Sequence, residues 1–276
     1  MAGSLVLAMV VNLGAVLGLA GGAHDAAQEA GADRDEGKCG AHQASLQMRR
    51  KPCSRAKALI RGLPMKATIG DPQWYKVCKP VFVCGSPLAS EDGMAGVLNG
   101  DAAKAKQLLQ EAGYDGTPVV LMQSTDLQVL TNLAPVAKAQ LERAGFKVDM
   151  QSMDWQTVVG RRAKKDPPNA GGWNAFLTSW VAADILNPVM AGFFNASCDK
   201  AMFGWPCDEK IEKMRDEFSK ETDPAKQKQI AIDLQKYWVD NPTHINVGQW
   251  YAPMALRKNI DGILIAPVPV FWNVSK

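Results

Sequence analysis

Aromatic residues are absent from the first quarter of this 276-residue sequence. All eight Trp, four Tyr and eight Phe residues lie at or after Trp74. Aromatic side chains contribute much of the buried area of a core. A segment that lacks them, and that is rich first in Ala and Gly and then in basic residues, buries too little apolar surface to offset the entropy of ordering. We therefore expect residues 1–66 to form an atypical, poorly ordered segment.

Histidine is scarce as well, and neither sign of charge dominates. His24 and His42 lie in the aromatic-free segment, which leaves His244 alone and excludes most zinc sites and catalytic triads. The formal net charge of +3 provides no broad basic surface for a nucleic acid. The sequence contains no P-loop, GxGxxG, GxSxG or HExxH motif. We therefore expect no catalytic residue, no metal, no cofactor and no nucleic-acid partner.

A long apolar run, LVLAMVVNLGAVLGLA at residues 5–20, lies inside the aromatic-free segment. It is too short, and too interrupted by Asn12 and glycines, to predict a membrane span, and its length suits the apolar region of a secretory signal. No Lys or Arg precedes it, although a signal normally begins with a positive charge. Three interpretations stay open: an export signal cleaved near residues 20–23, a short surface or interfacial helix, and a run without a role.

The six cysteines form three pairs that are close in sequence, and the first pair, Cys39 and Cys53, lies in the aromatic-free segment. Cys78 and Cys84 are six residues apart, and Cys198 and Cys207 are nine residues apart. These spacings suit disulfides, whereas a zinc site normally has closer Cys pairs or nearby His. Disulfides would also place the chain outside the cytosol. The alternative is that these cysteines are buried free thiols that pack as small apolar side chains.

Helices and strands alternate from residue 69 onward. Two units share the pattern Leu-x-x-Ala-Gly-aromatic, at residues 109–114 and 141–146, and each helix end is followed directly by apolar strand residues. This alternation predicts an α/β lobe. The predicted strands are 118–122, 146–151 and 173–180, and the predicted helices are 101–112, 133–144, 154–165, 208–220 and 224–239.

The third predicted helix ends in a basic run. Arg161, Arg162, Lys164 and Lys165 follow its apolar residues closely. Cations at a helix carboxyl end are favoured by the helix dipole, so a solvated helix end is one interpretation. A contact with a phosphate or a lipid headgroup is the other.

Three ordered segments carry a family resemblance. DAAKAKQLLQEAGYDGTPVVL, LAPVAKAQLERAGFKVDMQSMDWQT and WNAFLTSWVAADILNPV together resemble the carboxy-terminal lobe of family 5 extracellular solute-binding proteins, the dipeptide and oligopeptide receptors of bacterial ABC importers. The resemblance covers residues 69–276. It implies an α/β, type II periplasmic-binding-protein-like lobe at residues 67–246. It also implies an extended segment at 247–276 that returns to a first lobe.

The resemblance further implies a receptor that closes on its ligand by a hinge motion and is presented to a permease. Family members are roughly twice this length, so the chain resembles an incomplete two-lobed receptor. We expect a small-molecule or peptide ligand, ABC importer permease subunits as partners, a monomer, and no enzymatic activity. The location would be periplasmic or at the cell surface if the apolar run acts as an export signal.

The implied ligand site lies in the loop that follows the strand WNAFLTSW. In relatives this loop often carries acids near Asp-Pro that hold the amino terminus of a peptide. Here Trp180, Asp184 and Asn187 are the candidates, with Asn187 where Asp is frequent and Asp184 offset from the usual acid. Trp180 would stack on the ligand or fill the core, and Asp184 would bind the ligand or shape a turn.

Two other functions remain open at this stage. The chain is alternatively an extracytoplasmic, disulfide-stabilised protein-interaction module or an inactive receptor fragment. A hydrolase that pairs a cysteine with His244 is the remaining alternative. Because the resemblance ends near Met65, we expect residues 1–65 to come from a frame-shifted or misassigned start, so that the product is a truncated receptor.

Overall fold

The computed structural model describes residues 7–16, 65–254, 257–264 and 270–276, with the backbone alone described at 7–16 and 253–254. The strands are β1 (Leu7–Val16), β2 (Tyr75–Lys76), β3 (Val119–Ser124), β4 (Val148–Met153), β5 (Ala175–Val181) and β6 (Ile245–Met254). The helices are α1 (Met65–Ile69), α2 (Ala102–Glu111), α3 (Gln128–Arg143), α4 (Trp155–Arg162), α5 (Glu209–Lys220) and α6 (Pro224–Asp240).

The described strands form one sheet in the order β2-β6-β1-β5-β3-β4. β3 runs parallel to both β4 and β5, whereas β1 runs antiparallel to both β5 and β6. It follows that β3, β4, β5 and β6 all point in one direction. Helices connect the parallel strands, as parallel pairing requires, and the predicted α/β class is confirmed.

β1 is not among the three strands that the sequence predicts, and neither are β2 and β6. β1 comes from the apolar run at residues 5–20, for which an export signal, a surface helix and no role were considered, and no strand. A short apolar run that forms a strand cannot be distinguished by periodicity alone from other apolar segments. Residues 17–64, with His24 and His42, lie outside the described residues.

Three aspartates cap helices at the starts that the sequence predicts. The Asp101 Oδ1 accepts a hydrogen bond from the Lys104 amide at 2.8 Å at the start of α2. Asp154 and Asp208 begin α4 and α5 in the same way. Each side-chain oxygen pairs an amide that the first helical turn leaves without a partner, so the sequence located these three helix starts correctly.

α3 begins five residues earlier than the sequence pattern predicts. Pro135 therefore lies inside the helix and not in its first turn, where it lacks the amide that would pair with the carbonyl of Thr131. The Gln123 side-chain amide donates to that carbonyl at 2.9 Å. A side chain from β3 thus replaces the missing helical hydrogen bond, which explains how the helix continues through proline.

Two large clusters of buried side chains stabilise the lobe. One joins α3 to the sheet through side chains that include Leu130, Leu133 and Leu177. The other packs α5 and α6 against residues 81–94 and the segment after β5, with Phe194 and Trp238 fully buried. The loop that carries the predicted site residues therefore lies against a rigid aromatic core.

The structure places the predicted boundary at 246/247 inside β6, so the first part of the predicted return segment belongs to the sheet. Farther along, the backbones of Asp261 and Ser275 exchange two hydrogen bonds of 3.1 Å, which folds the carboxyl end back on itself. Phe271 and Trp272 lie between them and expose 64% and 89% of their surface. The return of this segment to another lobe stays a prediction.

A β-bulge interrupts the pairing of β1 with β6. The register shifts between Leu13 and Gly14, opposite Gly248. Gly248 has a φ of +148°, and a Cβ atom there would lie 2.5 Å from the Met65 sulfur. Glycine is needed at this bulge because of both the backbone conformation and the close approach of α1.

Candidate ligand-binding site

The parallel strands end together at one edge of the sheet. β3 ends at Ser124, β4 at Met153 and β5 at Val181. In open α/β sheets, ligands bind at the carboxyl ends of the strands. We refer to residues 124–126, 153–155 and 180–187 as the strand-end site, and we include Arg162, the last residue of α4, because its guanidinium Cζ lies 5.5 Å from the Trp155 ring centroid.

Trp180 packs against the aromatic core with one side of its ring, and its indole nitrogen has no hydrogen-bond partner. Its ring meets Phe193 in an edge-to-face contact with 6.0 Å between the ring centroids. The indole Nε1 is buried and donates no hydrogen bond. The half-buried ring therefore packs on the aromatic core, and its stacking on a ligand stays a prediction.

Asp184 and Asn187 occupy different positions in the loop. Asp184 is exposed within the short 3-10 turn Ala182–Ile185, and its carboxylate accepts no hydrogen bond from the described residues. The Asn187 Oδ1 accepts hydrogen bonds from the amides of Val189 and Met190 at 3.0 and 2.9 Å. Asn187 thus shapes the loop through its side-chain oxygen, whereas Asp184 leaves its charge available to solvent or a ligand.

A second acid at this edge was missed by sequence reasoning. The Asp126 Oδ1 accepts hydrogen bonds from the Ser124 hydroxyl at 2.7 Å and from the Trp155 amide at 2.8 Å. Asp126 is exposed, and its Oδ2 accepts no hydrogen bond from the described residues. The carboxylate is therefore held in place through one oxygen while the other can accept a hydrogen bond.

Arg162 lies among aromatic rings without a counter-ion in the described part of the chain. Its Cζ is 4.7 Å from the Phe203 ring centroid, 5.5 Å from that of Trp155 and 5.9 Å from that of Phe176. Its Nε is buried without a hydrogen bond. Burial lowers the pKa of the Arg162 guanidinium because it disfavours the charged form.

Arg161 makes a different set of contacts. It donates to the carbonyls of Gly171 and Gly172 at 2.9 and 2.6 Å and to the Gln151 Oε1 at 2.6 Å. Burial lowers its pKa too, and the nearby Asp149 carboxylate acts in the opposite direction. Neither arginine of the basic run is therefore fully solvated, contrary to the interpretation of the run as a solvated helix end.

The cysteine pairs and His244 leave little support for the hydrolase alternative. Disulfides join Cys78 to Cys84 and Cys198 to Cys207, which confirms the predicted pairing and rules out free thiols at these four positions. His244 is buried with its ring centroid 4.1 Å from that of Phe193. None of these four cysteines offers it a thiolate.

Within the described ranges, no three His, Cys, Asp or Glu side chains lie close enough together to hold a metal ion. No described helix combines the length and the apolarity that crossing a bilayer requires.

A sequence model of the bacterial extracellular solute-binding proteins, family 5 Middle, matches residues 73–201. The matched part of the chain belongs to this family. It contains β3, β4, α4 and β5, so it includes every residue of the strand-end site. The predicted family 5 resemblance is thereby confirmed.

A curated relative that this chain resembles is longer. A probable peptide ABC transporter periplasmic-binding protein of Sinorhizobium fredii, y4tO, is 30% identical over 213 residues. The alignment covers 77% of this chain and 40% of that relative. The chain thus spans two fifths of the length of this curated relative.

Solved structures show the same fold. The oligopeptide-binding protein AppA of Bacillus subtilis, in complex with a nonapeptide, matches with a TM-score of 0.70 at 16% identity, over 98% of this chain and 51% of AppA. A dipeptide-binding protein of Pseudoalteromonas sp. SM9913, in complex with Met-Leu, matches with a TM-score of 0.70 at 14% identity, over 99% of this chain and 50% of that protein. The fold is that of type II periplasmic binding proteins, of which this chain spans about half.

Proposed function

We propose that this chain supplies a ligand-binding lobe of a family 5 receptor and binds short peptides or similar small solutes for a bacterial ABC importer. The family match and the peptide-related names of the relatives support this proposal. Import energy would come from the partner ATPases, and the permease subunits would be the receptor's partners. The four cysteines in disulfides and the periplasmic-binding name of the relative support a location outside the cytosol.

One observation carries the proposal: a negatively charged side chain, Asp126, and a positively charged one, Arg162, both contact Trp155 in the strand-end site. The Asp126 Oδ1 is 2.8 Å from the Trp155 amide nitrogen, and the Arg162 Cζ is 5.5 Å from the Trp155 ring. A short peptide carries an ammonium at one end and a carboxylate at the other. Each charge-assisted hydrogen bond to such a group contributes about 1.5 to 3 kcal/mol.

In this proposal Asp126 binds the peptide ammonium and Arg162 binds its carboxylate. Trp180 would contact the peptide between its ends, and exposed Asp184 would add a second negative charge for a basic or longer ligand. Asn187 would hold the loop conformation and leave the ligand contacts to its neighbours.

Calorimetric titration of the purified chain with a set of dipeptides and tripeptides tests this function. We expect measurable heat with dissociation constants in the micromolar range, and weaker binding when both peptide ends are chemically blocked. Absence of heat with every free peptide would contradict the proposal and would favour an interaction module or an inactive fragment. Exposed Phe271 and Trp272 are the observation that favours such a module.

A further inference from the structure

The end of β5 depends on β1 for its strand pairing. β5 pairs with β3 at Ala175 and Phe176 alone, whereas it pairs with β1 from Phe176 to Val181. Among the described strands, β1 is therefore the neighbour that fixes the segment leading into Trp180 and the loop after it. A strand end without a paired neighbour exchanges its hydrogen bonds with water and moves more freely.

β6 depends on β1 in the same way. It pairs with β2 at Gln249 and Trp250, whereas its pairing with β1 extends from Ile245 to Met254. β1 thus provides most of the backbone partners of both flanking strands.

β5 and β6 have no means of pairing with each other while they keep their places. Both are antiparallel to β1, and adjacent strands are about 4.8 Å apart, so removal of β1 leaves a gap of about twice that distance. Leu177 and Val247, one on each side of that gap, each expose only 4% of their surface. Without β1, the facing edges of β5 and β6 would both present unpaired amides and carbonyls next to buried side chains. Folded sheets avoid such unpaired edges.

We propose that Leu7–Val16 is a permanent central strand, and that the folded protein retains the segment that resembles a secretory signal. Cleavage near residues 20–23 would remove the whole of β1 and separate β5 from β6. The two roles of the apolar run, removable signal and strand, are therefore mutually exclusive in one molecule. This inference does not rest on peptide binding.

Hydrogen exchange followed by mass spectrometry of the full-length chain tests the proposal. We expect amides in Leu7–Val16, and in Leu177–Val181, to exchange at least a hundredfold more slowly than unstructured amides. Val11 lies opposite Val181 on one side and Trp250 on the other. Val11→Pro removes one ladder amide, and should speed exchange at the end of β5 at least tenfold or unfold the chain.

Val11→Thr is the matched control, because threonine keeps the amide and favours strands. It should preserve the slow exchange of β5 and β6. The proposal is overturned if Leu7–Val16 exchanges at unstructured rates while β5 and β6 remain protected. It is also overturned if the intact mass of the folded protein, recovered from the extracytoplasmic fraction of cells, shows a chain that starts after residue 16.

Discussion

Substitution of Arg162 by methionine should separate ligand binding from folding. Methionine resembles the aliphatic part of the arginine side chain and carries no charge. It loses attractions to three aromatic rings, each about 0.5 to 1 kcal/mol at partly exposed sites, and it relieves the cost of keeping a guanidinium half-buried without a counter-ion. These effects oppose each other, so we expect the free energy of unfolding to change by no more than about 1 kcal/mol.

Peptide affinity should respond much more strongly. If the Arg162 guanidinium binds the ligand carboxylate, its loss removes about 1.5 to 3 kcal/mol, which weakens binding by about 10- to 150-fold. The assay is a cycle of four titrations: wild type and Arg162→Met, each with a dipeptide as the free acid and as the carboxyl amide. The wild type should prefer the acid, and Arg162→Met should not distinguish the two.

Arg161→Met is the matched control. Arg161 donates all its described hydrogen bonds to the protein, so its loss should destabilise the fold by about 1 to 3 kcal/mol and leave the preference for the acid unchanged. The reasoning is refuted if Arg162→Met weakens the acid and the amide equally, or if it retains the wild-type preference.

Three further predictions concern stability and are measured by denaturant unfolding. Gly248→Ala should lower the free energy of unfolding by about 1 to 3 kcal/mol, because the new Cβ would lie 2.5 Å from an α1 side chain and the backbone φ is +148°. Gly160→Ala is the control: a Cβ there would have no atom within 4 Å, so this change should be neutral or stabilising. Equal effects of the two substitutions would contradict the need for glycine at the bulge. Gln235→Leu should cost about 2 to 3 kcal/mol, because it leaves the buried Val81 amide without its 3.0 Å acceptor; a cost below about 0.5 kcal/mol would contradict this. Asp154→Ala should destabilise the fold at pH 7, because it removes the helix cap. Hydrogen bonds from Thr157 lower the pKa of Asp154, so the stability that ionised Asp154 adds is present above the ordinary aspartate pKa and is lost as pH falls through its lowered value. A destabilisation that does not shrink as the pH falls below the ordinary aspartate pKa would contradict this.

The sequence predicted those parts of the fold that local interactions decide. The aspartate caps at Asp101, Asp154 and Asp208 act on amides two or three residues away, so their positions follow from the adjacent sequence. Features decided by distant residues were not predictable in this way. The start of α3 depends on tolerating Pro135, which a hydrogen bond from Gln123 makes possible. The β1 strand depends on neighbours more than 150 residues away along the chain.

The candidate site also combines residues that the adjacent sequence predicted with residues that depend on distant parts of the chain. The loop containing Trp180 and Asp184 was found because a contiguous motif carries the family resemblance. Asp126 has no motif around it, and its importance follows from its location at the end of β3. Arg162 belongs to a basic run that predicts a solvated helix end, and Phe203, 4.7 Å from its guanidinium, lies 41 residues farther along the sequence.

Titration of the isotope-labelled chain with a free dipeptide, followed by amide and indole NMR signals, tests the strand-end site most directly. The account predicts concentration-dependent shifts centred on Asp126 and Trp155, and on the indole of Trp180, with weaker changes elsewhere. Signals that stay unchanged at millimolar peptide, or that move only at residues remote from the carboxyl ends of β3, β4 and β5, would contradict it.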